Sequence, residues 1–96
     1  MKGITQNYQL ATQWFTLAAE KGNDDARRNL GNSNEYGLGV PQNFTRAHMW
    51  YNLSASQGYK GAKKNRDKVA KKMTSSQIEK AQMLASECVA KDYKGC

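Results

Sequence analysis

The chain has one proline, one histidine and two cysteines, and only eight acidic residues against fifteen lysines and arginines. Each scarcity excludes something. A single proline, Pro41, leaves long stretches free of helix breakers and suits an all-helical chain. Cys88 and Cys96 both lie at the C-terminal end, which excludes a disulfide framework spread through the fold. Two late thiols and a distant His48 are also a poor metal set, and nothing in the sequence calls for a cofactor. No run approaches the roughly 18 apolar residues of a membrane span. Met1 and Lys2 are followed by Gly-Ile-Thr-Gln rather than an apolar segment. As written, the chain therefore carries no signal peptide, which points to the cytoplasm, or to export if a leader was removed from a longer parent.

What is present is a folded composition. The 96 residues are enough for one domain, residues 1–96, with a modest core. Mean hydropathy is low, at −0.87, yet aromatics reach 9%, more than a disordered chain usually holds. Sliding the sequence by 36 residues pairs Gly3 with Gly39, Asn7 with Asn43, Ala11 with Ala47, Trp14 with Trp50 and Leu17 with Leu53. It also pairs Gly22 with Gly58 and Ala26 with Ala62. Ten of the 27 positions from 3 to 29 are identical to their partners, where average composition gives about two. The economical reading is two copies of one unit, residues 3–38 and 39–73.

Each unit reads as two helices. Asn7 and Asn43 are natural N-caps, and the apolar residues that follow recur at helical spacing. Gly22 and Gly58 stop the first helix of each pair, and Asn23 and Asp24 can cap the next. Thr74-Ser75-Ser76-Gln77 is a capping-box signature, and Ile78, Ala81, Leu84, Ala85, Cys88 and Val89 form one apolar stripe behind it. This fifth helix has no second copy. Residues 74–96 therefore read as a capping helix and tail closing a stacked array.

The motif Ala-x-x-Trp-Phe-x-x-Ala-Ala-x-x-Gly, then Leu30-Gly31, Gly37-x-Gly39-Val40-Pro41-Gln42-Asn43-Phe44 and a second Ala-x-x-Trp, resembles the Sel-1-like repeat (SLR), a relative of the tetratricopeptide repeats. The resemblance covers about residues 3–73. It implies an all-α, α/α superhelical repeat: two helix hairpins plus the C-terminal capping helix. It further implies a non-enzymatic adaptor or scaffold module that binds a protein or peptide in its concave face. Ser33 and Asn34 stand where the family pattern has Met/Leu and Tyr, which predicts a poorly packed end to the second helix. Some cysteine-rich bacterial members of the family bind or hydrolyse β-lactams. They carry a disulfide within each repeat, and neither repeat here contains Cys, so a small hydrolase of that type is the weaker alternative, beside a basic module that binds nucleic acid or an anionic membrane surface.

The binding face is expected on the free side of each first helix. Gln9, Thr12, Gln13, Thr16 and Glu20 fall within one arc, and their equivalents are Thr45, His48, Met49, Asn52 and Ser56. His48 as a general base lacks any neighbouring Ser, Cys or carboxylate motif, so an exposed or partner-facing role is expected. Trp14 and Trp50 are expected to be core wedges, with ligand stacking as the alternative. Cys88 is either a small buried hydrophobe or the partner of Cys96 in a disulfide. Residues 60–72 hold seven basic side chains against Asp67 alone, so nearly all the surplus charge lies in one segment. These spread over the outer face of an amphipathic helix, which reads as a solvated surface. No aromatic is interleaved among the lysines, and nucleic acid and membrane are both disfavoured as partners. Leu10 and Leu17 lie on the first helix away from the Ala-Trp seam. They are expected to be exposed and to support weak homodimerisation.

Overall fold

The computed structural model describes residues 7–96. Five helices follow in order: α1 (Tyr8–Glu20), α2 (Asp24–Tyr36), α3 (Phe44–Ser56), α4 (Lys60–Ala70) and α5 (Ser75–Ala90). There is no strand among the described residues. α1 packs on α2 and α3 on α4 as the two hairpins; α2 against α3 joins them, and α5 lies along α3. The result is elongated, 43 × 28 × 23 Å, as a stacked array should be.

The ends of the helices are set by short polar side chains. The Leu10, Ala26 and Arg46 backbone N–H groups donate to the Oδ1 atoms of Asn7, Asn23 and Asn43 at 2.9–3.0 Å. Thr74 and Gln77 form a reciprocal capping box. α4 has Tyr59 at its N-cap and no side-chain cap hydrogen bond. Gly22 and Gly58 take matching left-handed conformations, with φ of 98° and 97°, where the chain must turn between the helices of a hairpin.

The main core joins both hairpins to α5. Ala19, Ala26 and Leu30 meet Met49, Trp50 and Leu53, with Ala85 and Cys88 closing the far side. A smaller cluster of Ala47, Tyr51 and Val69 holds α4 on α3. At the α2–α3 contact the Tyr51 ring lies so close to Gly31 that a Cβ there would collide with it. The Tyr51 hydroxyl donates to Glu35 Oε1 at 2.7 Å and also lies 2.7 Å from Asn32 Oδ1. Lys72 donates to the other Glu35 oxygen at 3.1 Å, neutralising a carboxylate that is otherwise buried. Burial and the Glu35 contact push the Tyr51 hydroxyl well above the ordinary phenol range, so it stays a donor.

Three expectations need correction. Trp14 is not a core wedge: it is 65% exposed, whereas Trp50 is 4% exposed. Trp50 has α2 on one side and α5 on another; no described element lies over Trp14. Ser33 and Asn34 do not loosen the end of α2. Both are buried, and their side chains donate to the Asn29 and Leu30 carbonyls, so their polarity is satisfied within the helix. Val89 is exposed rather than part of the buried stripe of α5.

Cys88 and Cys96 are joined by a disulfide. It folds the tail back over the C-terminal ends of α1 and α3. There Arg27, 1% exposed, donates from Nε to the Ala19 carbonyl at 3.0 Å and from Nη1 to Gln57 Oε1 at 2.6 Å. The Tyr93 ring covers the same guanidinium, 3.8 Å from centroid to Cζ. The Gly95 N–H reaches Glu20 Oε2 at 3.4 Å.

Candidate protein-interaction surface

The expected binding arc divides when placed on the structure. Gln9 and Gln13 are exposed on α1, Thr16 and Glu20 half-buried beside them. On α3, Thr45 and Asn52 are half-buried and Ser56 is exposed. These seven side chains keep to one side of the two first helices. The Thr16 and Ser56 hydroxyls donate back to their own helices, at the Thr12 and Asn52 carbonyls. Asn52 accepts from Arg66 Nη1 at 2.9 Å, which ties α4 to this face.

Thr12, His48 and Met49 do not belong to it, because all three are buried. Thr12 and His48 are equivalents, and both point between the two helices of their own hairpin. Thr12 Oγ1 donates to the Leu38 carbonyl at 3.2 Å and lies near Ser33 Oγ. His48 lies beside Arg66 and Asp67 of α4. Burial, reinforced by the Arg66 charge, lowers its pKa and favours the neutral ring, while Asp67 acts weakly in the other direction. Its Nδ1 has no hydrogen-bond partner. Met49 is covered for a different reason. α5 lies on this side of α3, and Met49 packs with Ala85 and Cys88 in the main core. The chain's own last helix thus occupies part of the face that the repeat pattern leaves open.

Two further surfaces frame the array. On α1, opposite its buried side, Leu10 and Leu17 are 48% and 53% exposed and flank Trp14. A cleft of about 340 Å³ runs beside the indole, between Trp14, Phe15 and Ala18 of α1 and Ala26 and Asn29 of α2. The repeat alignment groups Trp14 with Trp50 and so hides its exposure. Helical geometry carries the missing signal, since at 100° per residue Trp14 lies only about 40° from Leu10. On α4, Lys60, Lys63, Lys64 and Lys68 are exposed, as is Lys71 just past its end. The structure adds aromatics that the local sequence lacks. The hydroxyl of Tyr36, a residue about half exposed, lies 3.4 Å from Lys68 Nζ, and Lys72 Nζ sits 5.5 Å from the centroids of Tyr36 and Phe44.

Comparison with known proteins fits this architecture. The sequence model of the Sel1 repeat matches residues 2–23 and 24–59, more than half of the chain. The chain belongs to the Sel1 repeat family. The second Sel1 match is itself 36 residues long and is framed differently from the hairpins, taking α2 and α3 together. Among solved structures, this Sel1 repeat chain is similar to a protective antigen present in uropathogenic Escherichia coli strains and displaying an SLR fold. The two superpose with a TM-score of 0.84 at 28% identity over 96% of the present chain. The present chain spans 21% of the length of that antigen chain. No curated protein matches the sequence.

Proposed function

We propose that this Sel1 repeat chain is a non-enzymatic protein-binding module. Sel1 repeats are in general protein–protein interaction modules. The observation that carries the reading is the polar strip of α1 and α3: Gln9, Gln13, Thr16, Glu20, Thr45, Asn52 and Ser56. None of these side chains is in the core; Asn52 and Glu20 also hold Arg66 and the tail, which leaves Gln9, Gln13 and Thr45 as the residues freest to be chosen for a partner. An extended or helical peptide lying across α1 and α3 would meet amide and hydroxyl groups from both repeats. The basic face of α4 adds an electrostatic preference for partners with acidic segments. A catalytic reading has less support: the one histidine is buried, and its charged neighbours are Arg66 and Asp67 rather than a nucleophile.

The test is a displayed peptide library panned against the folded chain. Selected peptides, resynthesised, should bind one to one and weaken about tenfold against the double variant Gln13→Arg/Ser56→Arg, whose melting temperature should be unchanged. A library that yields no binder, or binders indifferent to those two changes, sinks the reading.

A further inference from the structure

We infer that the cleft where α3 ends and α4 begins, lined by Lys60, Lys63 and Arg66, binds the phosphate group of a phosphate monoester. Such binding needs no peptide on the polar strip, with which the cleft shares only Ser56.

The cleft has a volume of about 340 Å³, and three cations line it with no carboxylate among them. Lys60 and Lys63 are exposed and form no ion pair among the described residues. Arg66 is held from two sides: Nη1 donates to Asn52 Oδ1 at 2.9 Å and Nε to Asp67 Oδ1 at 3.3 Å. Its Nη2 is left without an acceptor among the described residues. Asp67 offsets part of the Arg66 charge but does not line the cleft. Tyr59 forms one wall. Its ring lies against Gly61, where a Cβ would come within 2.9 Å of Cε1, and Arg28, itself paired with Asp25, sits 5.4 Å from the ring centroid.

The same place in the first repeat is built differently. Ser56, Lys60, Lys63 and Arg66 correspond to Glu20, Asp24, Arg27 and Leu30. The first-repeat set holds one cation and two anions; the second-repeat set holds three cations and no anion. In the first repeat Leu30 is in the core, Arg27 donates to Gln57 of the next unit, and Tyr93 closes over it. In the second repeat the chain runs on into α5, which lies along α3 and leaves this face of α4 open. A hairpin stacked here as the second is stacked on the first would bury Arg66 where Leu30 stands, and a buried guanidinium without an anion is strongly unfavourable. The face therefore suits an anion rather than a further apolar contact.

Three converging cations match a dianion better than a monoanion. A phosphate monoester carries a charge of about −1.5 to −2 at neutral pH and three strong acceptor oxygens, enough to meet Arg66 Nη2 and both ammonium groups. The first turn of α4, which has no side-chain cap, adds backbone donors at the same end. A phosphate group alone would not fill the cleft, and Tyr59 offers an apolar wall to the group that carries it.

NMR titrations of the whole chain with phenyl phosphate, inorganic phosphate and benzoate, at constant ionic strength, test this. Phenyl phosphate should bind one to one with a Kd of about 1 mM or below, with shifts that map to Tyr59, Lys60, Lys63 and Arg66. Inorganic phosphate should bind more weakly because it lacks the ring contact. Benzoate should be at least about tenfold weaker, because it brings less charge and fewer acceptors. Lys63→Glu should weaken phenyl phosphate about tenfold without lowering the melting temperature, and Lys60→Glu repeats the test should that chain fail to fold. Lys80→Glu makes the same change in net charge at the other end of α3, beside Thr45 and Arg46, and should leave the affinity within about twofold. No saturation by about 10 mM overturns the inference, as do shifts that map elsewhere or equal losses in Lys63→Glu and Lys80→Glu. Benzoate or inorganic phosphate binding as tightly as phenyl phosphate overturns the assignment to a monoester.

Discussion

Trp14 and Trp50 hold the same place in two copies of one 36-residue unit, yet one ring is in solvent and the other is in the core. The local sequence around them is also matched, with alanine three residues before each and leucine three residues after. The difference therefore lies in what packs against each hairpin. α3 has α2 on one side, α4 on another and α5 on a third; α1 packs on α2. A repeat encodes a surface, and its neighbours decide whether that surface becomes core.

The comparison is broken most strongly at the tryptophans. Trp50→Ala should cost about 3–5 kcal/mol, enough to unfold so small a domain. Trp14→Ala should change stability by no more than about 0.5 kcal/mol. Thermal and urea unfolding of the two variants measure the contrast, and equal losses would mean that Trp14 is covered in solution. Met49 and Gln13 form the next pair. Met49→Ala should cost about 2–5 kcal/mol because α5 loses its seat, whereas Gln13→Ala should be close to neutral. The same denaturation curves decide it.

Gly31 and Asp67 are a third equivalent pair. Gly31→Ala drives a methyl group into the Tyr51 ring and should cost about 1–3 kcal/mol. Asp67 is exposed, with a surface contact to Arg66, and Asp67→Ala should cost less than about 1 kcal/mol. A Gly31→Ala chain as stable as the parent would show that α2 and α3 can separate slightly without penalty.

The smallest effect sets His48 against its equivalent Thr12. The folded chain holds the His48 pKa below its ordinary value of 6.5. The unfolded chain therefore takes up the proton first as the solution is acidified. His48 contributes stability above pH 6.5, and that contribution is lost as the pH falls below 6.5 through the folded value. Melting temperature should fall over this range, and His48→Thr, which copies the first repeat, should flatten the profile. An unchanged slope in the variant would assign the pH dependence to other groups.

Much of the fold was legible in the sequence because its signals are local. Asn7, Asn43 and Thr74 mark helix starts through their own side chains, and Gly22 and Gly58 mark the turns through their φ angles. The candidate face was legible only in part, because exposure depends on distant residues. Thr12 and His48 border the polar arc, and only the angle of the second helix against the first shows that they fall inside the hairpin. Met49 looked free because the repeat pattern contains no counterpart of α5. Trp14 looked buried because an identical residue one repeat later is buried. The aromatic company of the α4 lysines was invisible for the same reason: Tyr36 and Phe44 come from α2 and α3.

The disulfide-closed tail has a consequence for cooperativity. An array whose units touch only their neighbours can unravel from either end, one unit at a time. Here the Gly95 N–H contacts Glu20, 75 residues earlier, and Tyr93 lies on Arg27, which itself grips the end of α1 and Gln57 of α3. The tail is thus fastened to α1, the first of the described helices. Loosening of either one disturbs the other, so α1 and the tail should open together as one unit in native-state hydrogen exchange, and reduction of Cys88–Cys96 should uncouple them.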